Sequence, residues 1–470
     1  MTFIRTKIIC TIGPKSRHIT LLKKLHKAGM NVVRINMSHA SHMDAKEIIE
    51  NINKINNEKD SQLPQIGILL DTQGPEIRTG DTSLPIELKV GDKVALTVRD
   101  EIDVETSSIK VNYKGLIHSV NVGSNISVDN GLISFKVLSK ESETLICKVV
   151  HGGKVGSKRH VNLPGVRINM PSITSKDIKD ITFGIKNNVD FIAASFVRNK
   201  KDLKILQDIL KKKNSNSKII AKIENQEGLE NIDEISESAW GVMVARGDLG
   251  IETSLTDLPN IQRKIMYSCA KWGKRSIVAT HLLESMINNP TPTRAEVTDV
   301  ANAVYEGADA LMLSGETSIG KYPVECVKFL KSISLRTEKF KTLGYEKKLV
   351  TNSDWESIAV AAKNLSKSIK ADGIIAITRT GATANYISNA KPSGTPIFTF
   401  TNNKNTLGQM SLVGSTKSYY IPRLNNHEKT LDHVKKVLKE NFKKKKSLKF
   451  VMVSGIFSEE HSEAIQIINF

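Results

Sequence analysis

The sequence is poor in cysteine and in long apolar runs. It holds four cysteines in 470 residues, far apart and with no CxxC pair, which argues against a zinc site and against a disulfide framework. No stretch of about 20 consecutive apolar residues occurs, so the sequence offers no transmembrane candidate. The first residues, MTFIRTKIIC, lack a long apolar region and a small-residue cleavage site, which argues against a secretory signal. We therefore expect a cytoplasmic location.

The chain is strongly basic, with 68 Lys and Arg residues against 49 Asp and Glu residues. The net charge of +19 fits either a nucleic-acid or anionic-surface partner, or a lysine-rich composition with anionic small-molecule substrates. The longest basic run, Lys443 to Lys446, is typical of a solvated turn before a strand, and the other lysines are scattered. Because diffuse charge is a weak signal, we favour the second explanation and expect no nucleic-acid or membrane partner.

Eight short apolar runs recur along the chain, each followed by a polar cluster and then a helical pattern. With one exception their starts lie about 23 to 35 residues apart, the length of a strand, a helix and two loops. Eight such units predict a (β/α)₈ TIM barrel, with a doubly wound sheet as the alternative. The runs are KIICTIG (7–13), NVVRINMS (31–38), QIGILLDT (65–72), DFIAASFV (190–197), KIIAKIEN (218–225), GVMVARGD (241–248), RSIVATHL (275–282) and DALMLSGE (309–316).

The exception is a gap of about 125 residues between the third and fourth runs, and its pattern is different. Alternating and β-branched segments separated by Gly, Asp and Asn turns fill it, at 86–98, 124–139 and 144–155. We predict an inserted all-β domain over 76–170 that lies over the barrel mouth as a lid. The barrel domain then comprises 1–75 and 171–340. Strand patterns at 373–385, 395–402 and 449–457 predict a C-terminal α/β domain over 341–470.

The ends of the predicted barrel strands carry polar side chains, several of them in pairs or triplets at the i, i+2 spacing that places them on one strand face. In a TIM barrel these strand ends meet at a single mouth, where the active site lies. The pairs and triplets are Arg34, Asn36 and Ser38; Lys222 and Glu224; Arg246 and Asp248; and Ser314 and Glu316. Asp71 and Thr72 end the third predicted strand, and Thr280 lies in the seventh. Taken singly, each has a structural reading as an ion pair, a turn or a helix N-cap. Together they indicate a charged site.

The residue types suit phosphoryl transfer. Glu224 and Asp248 offer hard oxygen ligands from neighbouring strands, which suits Mg²⁺ or Mn²⁺ rather than zinc. Lys222 and Arg34 supply positive charge for a phosphoryl group in transit, a reaction that depends on positioning and electrostatic stabilisation. A second oxygen-rich cluster has a single carboxylate and suits a monovalent cation; it comprises Asn36, Ser38, Asp71 and Thr72. A Mg²⁺-dependent lyase and a non-enzymatic anion binder are the alternative functions.

The chain resembles the pyruvate kinase family over nearly its whole length. The matching segments include RTKIICTIGP (5–14), NVVRINMSHA (31–40), LLDTQGPEIRTG (69–80), VNLPG (161–165), KIENQEG (222–228), VMVARGDLGIE (242–252), ATHLLESM (279–286) and LMLSGETSIGKYP (311–323). The resemblance implies transfer of the phosphoryl group of phosphoenolpyruvate to ADP, giving pyruvate and ATP at the end of glycolysis. It also implies dependence on Mg²⁺ or Mn²⁺ and on K⁺, and a homotetramer.

The resemblance also implies a role for each site residue. Glu224 and Asp248 match the divalent-metal ligands, Lys222 matches the lysine that stabilises the phosphoryl group, and Arg34 is similar to the arginine that holds the phosphate. Substrate carboxylate contacts match Gly247, Asp248 and Thr280, and Thr280 with Ser314 and Glu316 lies near the enolate. The potassium site matches Asn36, Ser38, Asp71 and Thr72, and the nucleotide residues match Asn36, His39, Arg78 and Lys176. His39 can equally be read as a solvated loop residue. Glu76 is typical of potassium-dependent members.

A few positions depart from the family pattern. Gln73, Ala40 and Asn130 stand where Lys, Gly and Asp are common, and His281 stands where Gln is common, beside Thr280. None of these changes removes a metal or phosphoryl group, so we expect an active enzyme. In the C-terminal domain the turn TRTGAT (378–383) resembles the family's sugar-phosphate loop, but a plain strand-to-helix turn explains it equally well. Allosteric control stays open.

Overall fold

The structure is a computed structural model. It describes residues 3–58, 63–82, 84–99, 108–129, 131–166, 168–422, 427–442, 445–454 and 464–470. Asn130, Lys443, Lys444 and the range 455–463, on which parts of the sequence interpretation fall, lie outside the described residues. In the described part of the chain, no helix has the length and apolarity needed to cross a lipid bilayer.

The chain begins a barrel, leaves it for an all-β insertion, completes the barrel and ends in an α/β domain. The first barrel elements are β1 (Lys7–Thr11), α1 (Ile19–Ala28), β2 (Val32–Asn36), α2 (His42–Asn56) and β3 (Gly67–Asp71). The insertion contains β4 (Ile86–Leu88), β5 (Lys93–Thr97), β6 (Ser108–Lys110), α3 (Leu116–Ser119), β7 (Asn125–Val128), β8 (Ile133–Lys140), β9 (Thr144–His151), β10 (Gly153–Val155) and β11 (Val161–Asn162).

The second part of the barrel is mainly helical between its strands. It contains α4 (Ser175–Lys186), β12 (Phe191–Ala194), α5 (Lys200–Lys212), β13 (Lys218–Ile223), α6 (Gln226–Glu230), α7 (Ile232–Ser238), β14 (Gly241–Ala245), α8 (Arg246–Glu252), α9 (Leu258–Lys271), β15 (Arg275–Ala279), α10 (Arg294–Tyr305), β16 (Ala310–Leu313), α11 (Gly315–Ser318) and α12 (Pro323–Thr337). The C-terminal domain contains α13 (Asp354–Ser368), β17 (Gly373–Ile377), α14 (Ala382–Asn389), β18 (Ile397–Thr401), α15 (Lys404–Gln409), β19 (Thr416–Tyr420), α16 (His427–Asn441), β20 (Lys449–Ser454) and β21 (Ala464–Asn469).

Eight parallel strands form a closed barrel in the order β1-β16-β15-β14-β13-β12-β3-β2. The closed order confirms the TIM barrel and excludes the doubly wound sheet. Strand β3 pairs directly with β12, with Leu69 opposite Phe191, although the whole insertion lies between them in sequence. Both connections of the insertion therefore leave from neighbouring points of the barrel mouth.

Alternation along each strand divides the barrel core into two parts. Ile9, Val32, Leu69 and Phe191 belong to a cluster inside the barrel, whereas residues one position away, such as Ile8, pack against the surrounding helices. Both faces of a barrel strand are buried, which explains the nearly continuous apolar runs. Because side chains alternate, a residue two positions beyond an interior one also points inward, toward the mouth.

Reciprocal N-terminal caps define where several of the helices begin. In each cap the Ser or Thr hydroxyl accepts a main-chain N–H, and an acidic side chain three residues later accepts one in return. The pairs are Ser41 with Asp44, Thr174 with Asp177, Thr293 with Glu296, and Ser353 with Glu356. These short motifs determine the first residues of α2, α4, α10 and α13.

The insertion has its own hydrophobic core, so it is an independent layer of structure. A six-stranded sheet in the order β11-β7-β8-β9-β5-β6 surrounds buried residues such as Leu96, Phe135 and Val149, and β4 pairs with β10. Asn162 Nδ2, at the end of β11, donates a 2.9 Å hydrogen bond to Oε1 of Glu252 in α8 of the barrel. This contact holds the insertion against one side of the mouth.

The C-terminal domain is a five-stranded sheet in the order β19-β18-β17-β20-β21, with helices on its faces. Strands β19 and β21 are absent from our sequence interpretation, because TKSYY is short and polar and β21 pairs antiparallel at the sheet edge. The domain packs against the end of the barrel opposite the mouth, where Leu412 joins the interior cluster. A buried ion pair between Lys391 and Asp309 crosses the same contact.

Candidate active site

The inward faces of four neighbouring barrel strands change from apolar to polar as they approach the mouth. Val32 is followed at this spacing by Arg34 and Asn36, Leu69 by Asp71, Ala193 by Ser195, and Ile220 by Lys222 and Glu224. The apolar members fill the barrel, and the polar members lie directly above them. The fold therefore brings cations and carboxylates from separate strands into one cluster.

Lys222 lies at the centre of this cluster. Its ammonium nitrogen is 2.8 Å from Oε1 of Glu224 and 3.2 Å from Oδ1 of Asp71. It also donates a 2.8 Å hydrogen bond to Oγ of Ser195. Burial alone would lower the pKa of Lys222, but the Asp71 and Glu224 carboxylates raise it above its ordinary value. The side chain is therefore a fixed positive charge.

Arg34 forms a hydrogen bond with the other carboxylate oxygen of Asp71. Its Nε donates to Oδ2 of Asp71 at 2.6 Å, and its Nη1 donates to Oγ1 of Thr11 at 3.0 Å. Burial would raise the pKa of Asp71, but Lys222 and Arg34 together hold it below its ordinary value. Asp71 thus carries a negative charge that orients two cations, and their remaining positive charge faces the mouth.

Glu224 and Asp248 form a pair of carboxyl groups beside Lys222. Burial raises the pKa of Glu224 to about 7, against the opposing effect of Lys222, and the nearby Asp248 adds to the rise. Burial also raises the pKa of Asp248, although Lys222 opposes it and a hydrogen bond links its carboxyl group to that of Glu224. Glu224 is buried, whereas the Asp248 side chain is 33% exposed. Two carboxyl groups that share a hydrogen bond compete for a proton, so a cation between them would be stabilising.

The donor set fits a hard divalent ion. Among the described residues no group of three or more His, Cys, Asp or Glu side chains is placed to hold a metal. Two carboxylates such as Glu224 and Asp248, completed by substrate and water oxygens, are a donor set typical of Mg²⁺ and Mn²⁺ sites.

Several oxygen atoms of the cluster predicted to bind a monovalent cation already have partners within the protein. Asn36 Oδ1 accepts the main-chain N–H of Ser38 at 3.2 Å. The carbonyl of Thr72 accepts the hydroxyl of Ser195 at 2.7 Å. Asp71 is shared with both cations, so an added monovalent ion would have to share its carboxylate with Arg34 and Lys222. The four residues nevertheless lie on adjacent strand ends, β2 and β3.

The structure corrects the strand placement of Arg246, Asp248 and Thr280. Strand β14 ends at Ala245, and Arg246 and Asp248 lie in the first turn of α8 rather than on one strand face. Asp248 reaches the mouth, whereas Arg246 is buried and points to the end of β15. Thr280 follows β15 instead of lying in it, and its Oγ1 accepts the N–H of Gly247 at 2.8 Å.

Ser314 and Glu316 also lie beyond their strand, because β16 ends at Leu313 and α11 begins at Gly315. The Glu316 side chain is completely buried and accepts the N–H groups of Leu283 (3.1 Å) and Ser314 (2.7 Å). Oγ of Ser314 is buried without a hydrogen-bond partner. Glu316 thus braces the loops after β15 and β16, and the unpaired Ser314 hydroxyl is left for another partner.

Four residues are predicted to contact the nucleotide, and Asn36, the first of them, is the last residue of β2. His39 and Arg78 line the mouth cavity, and Nε of Arg78 donates to Glu76 at 2.7 Å. Nζ of Lys176 donates to the main-chain carbonyl of Met37 at 2.7 Å and to Oδ2 of Asp180 at 2.8 Å. Lys176 therefore links the loop after β2 to α4. Arg78 and Lys176 therefore each have an intramolecular partner.

A cavity of about 320 Å³ opens between the barrel mouth and the insertion. The predicted site residues in its lining are Arg34, Asn36, Ser38, His39, Arg78, Lys222, Glu224 and Asp248. Gln73 and Glu76, which the family comparison singled out, also line it. The sequence interpretation missed the remaining lining residues, Asp129, Lys158, Arg159, His160, Ser195 and Phe196. Ser195 could have been found, because it lies two residues after the inward Ala193. His160 could not, since its insertion must first fold to bring Nδ1 within 3.7 Å of Asp248.

Comparison with known proteins agrees with this geometry. The family model described as "Pyruvate kinase, barrel domain" matches residues 3–327, and "Pyruvate kinase, alpha/beta domain" matches 356–468. A pyruvate kinase of Staphylococcus epidermidis is 42% identical over 415 residues, which cover 87% of this chain and 70% of the relative. One from Staphylococcus aureus is 43% identical over 416 residues, with the same shares of 87% and 70%.

A solved structure extends the agreement to the whole fold. The crystal structure of a pyruvate kinase from Cryptosporidium parvum superposes with a TM-score of 0.93 at 34% sequence identity, covering 99% of this chain and 96% of that one. Members of this family are generally dependent on Mg²⁺ and K⁺. With the barrel, the insertion and the charged mouth, these matches show that the chain belongs to the pyruvate kinase family, the phosphotransferases that convert phosphoenolpyruvate and ADP to pyruvate and ATP.

Proposed function

We propose that Lys222, together with the residues it contacts (Asp71, Ser195 and Glu224) and Arg34, is the centre of phosphoryl transfer in this enzyme. The observation that carries the proposal is the position of the Lys222 ammonium group between Asp71 and Glu224, held by three contacts of 3.2 Å or less. A preorganised positive charge in a buried site stabilises a phosphoryl group in transit without reorganisation during the reaction. Arg34 holds the phosphate of phosphoenolpyruvate from the neighbouring strand.

Glu224 and Asp248 would hold Mg²⁺ or Mn²⁺ in this proposal. A divalent ion there would neutralise charge on the phosphoryl and carboxylate oxygens of the substrate. Gly247, Asp248 and Thr280 orient the carboxylate end of the substrate, since the Gly247 N–H and the Thr280 hydroxyl already meet at 2.8 Å. Thr280, with Ser314 and Glu316 behind it, lies where the enolate accepts its proton.

We propose that K⁺ binds at Asn36, Ser38, Asp71 and Thr72, and that ADP binds near Asn36, His39, Arg78 and Lys176. The adjacency of the β2 and β3 ends supports the first assignment. The position of His39 and Arg78 on the mouth cavity supports the second. If activity in Na⁺-free buffer is the same with and without K⁺, the potassium assignment is wrong.

We propose that the enzyme is a cytoplasmic homotetramer. Buried free thiols at all four cysteines support a reducing compartment. Strand β21 supports association, because it lies at the edge of the C-terminal sheet and Ile467 on it is 49% exposed. Sedimentation equilibrium measures the subunit number. We also propose that the lid domain spans residues 76–170 and that the C-terminal domain spans residues 341–470.

The test of the central assignment is Lys222→Met in an assay that couples pyruvate formation to a reporter enzyme. We expect kcat to fall by about a thousandfold, because a fixed charge beside the reacting group is lost. Lys218→Met is the matched control, since Lys218 begins the same strand at its far end. Turnover in Lys222→Met equal to that of the control would show that Lys222 has no such role.

A further inference from the structure

The backbone at the end of β15 is in an unusual conformation. Thr280 has φ of 66° and His281 has φ of 53°, both in the left-handed region. A β-branched residue is a clear outlier there, because its side chain crowds the backbone in this conformation. It persists only where surrounding contacts determine it, so the contacts that hold Thr280 are informative.

Arg246 makes most of those contacts. Its Nε donates to the carbonyls of Ala279 and Thr280, each at 3.2 Å, and its Nη2 donates to the same Thr280 carbonyl. On its far side, Nη1 donates to Oδ1 of Asp299 at 2.8 Å. The Arg246 side chain is only 8% exposed. The guanidinium group therefore bridges two consecutive carbonyls and a carboxylate on α10.

The next residue along the chain fixes the side chain of Thr280. Gly247 donates its N–H to Oγ1 of Thr280 at 2.8 Å, and this hydroxyl donates to the carbonyl of Ala279 at 2.6 Å. Thr280 is thus held at its carbonyl by Arg246 and at its hydroxyl by Gly247. Asp248 follows directly in the same helical turn, so one short segment connects Thr280 to the proposed metal site.

We propose that Arg246 is a positioning residue for the proton-transfer step, which rests on the proposed role of Thr280. By holding the strained backbone of Thr280, Arg246 keeps its hydroxyl at the face of the enolate. Pyruvate reports on this step in reverse: a C3–H bond breaks, the proton leaves to the site, and the enolate then takes a deuteron from D₂O. No phosphoryl transfer is needed for this exchange.

The experiment measures deuterium incorporation into the pyruvate methyl group by NMR, beside kcat and KM for phosphoenolpyruvate. We expect Arg246→Met to slow the exchange by about tenfold or more, and by a larger factor than it changes KM. Arg246→Lys keeps the charge but cannot bridge the same acceptors, so we expect only partial recovery. Asp299→Asn, which weakens the outer anchor, should give a smaller loss in the same direction.

Arg99→Met is the matched control, because Arg99 forms an exposed ion pair with Glu143 on the insertion, away from Arg246, and its exchange rate should equal that of the wild type. If folded Arg246→Met exchanges within about twofold of the control, the proposal is overturned. Should that variant fail to fold, wild-type exchange in both Arg246→Lys and Asp299→Asn overturns it instead. Thr280→Val distinguishes a failure of the Arg246 proposal from a failure of the proposed role of Thr280. Unchanged exchange in this variant refutes the role of Thr280 itself.

Discussion

Lys222 and Asp71 form a buried ion pair between two barrel strands that are not neighbours. The ammonium nitrogen of Lys222, on β13, lies 3.2 Å from Oδ1 of Asp71 on β3, and Ser195, which follows β12 between them, bonds to both side chains. Asp71 is fully buried and its second oxygen belongs to Arg34. One carboxylate thus orients both cations of the proposed phosphoryl site.

This relationship predicts a large effect of Asp71→Asn. The variant retains shape but leaves two buried cations with a neutral neighbour, so we expect kcat to fall by about a hundredfold and the free energy of unfolding by about 3 kcal/mol. Coupled assays and urea titrations measure the two quantities. Asp208→Asn, at a surface ion pair with Lys204 away from the mouth, is the control and should leave both unchanged. Wild-type activity in Asp71→Asn would contradict the assigned role.

The Glu224 and Asp248 pair predicts that binding of divalent ions depends on pH. Burial raises the pKa of Glu224 to about 7, so a proton competes with the metal below that pH and not above it. We expect the affinity for Mn²⁺, measured by electron paramagnetic resonance without substrates, to rise by about tenfold between pH 6 and pH 8 and then level off.

Glu224→Gln should both weaken Mn²⁺ binding and remove its rise with pH, since the glutamine cannot release a proton. Glu87→Gln, on the exposed surface of the insertion, should bind Mn²⁺ as the wild type does. Affinity that is independent of pH in the wild type would mean that Glu224 is already ionised, and the metal assignment would lose its main electrostatic support.

Asp190 predicts a dependence of stability on pH that is separate from the active site. Its Oδ2 accepts the N–H of Ile68, and burial raises its pKa to about 7. An unfolded Asp has a pKa near 3.9, so from about pH 4 to pH 7 the native state holds a proton that the unfolded chain has released. By linkage, the free energy of unfolding falls as pH rises through this window, by at most about 4 kcal/mol.

Asp190→Asn should flatten this dependence, because the amide keeps the acceptor for Ile68 without titrating. Urea titrations at pH 5 and pH 8 measure it, and Asp208→Asn, at a surface ion pair, serves as the control. An equal fall in stability between these two pH values in Asp190→Asn and in the wild type would locate the dependence elsewhere.

The four cysteines predict a chain that resists thiol reagents while it is folded. All four are buried, burial raises the pKa of Cys147, Cys269 and Cys326 to about 12, and that of Cys10 is also raised. Reagents attack the thiolate, which is scarce at such pKa values and shielded here. We expect almost no reaction with a coloured disulfide reagent at pH 8 in native buffer, and reaction at all four positions in guanidinium. Rapid native labelling would contradict the buried positions.

The sequence contained enough information for the barrel and for the centre of the site. The eight apolar runs correspond to the eight barrel strands, because strands buried on both faces must be nearly continuously apolar. The inward positions of Arg34, Asp71 and Lys222 follow from alternation alone. The family relationship was also confirmed. The exact ends of the strands were harder to predict from the sequence, because the apolar pattern does not change where β14 ends and α8 begins at Arg246.

Other features depend on tertiary contacts that no local pattern expresses. Glu316 follows a strand end as the other polar residues do, but only the fold shows that its carboxylate is turned to the N–H groups of Leu283 and Ser314. The edge strand β21 gains its strand character by pairing with β20. His160 approaches Asp248 only because the insertion folds back over the mouth. Each required distant parts of the chain to meet.

The pairing of β3 with β12 across the insertion has a consequence for synthesis of the chain. While the ribosome makes the insertion, β1, β2 and β3 are already complete but their sheet has no β12 or β16 to close it. The insertion has a core of its own and can fold in that interval, which keeps the ends of β3 and β12 near each other. An insertion slow to fold would leave an open sheet edge exposed to other nascent chains, so its folding rate would set how often the barrel closes correctly.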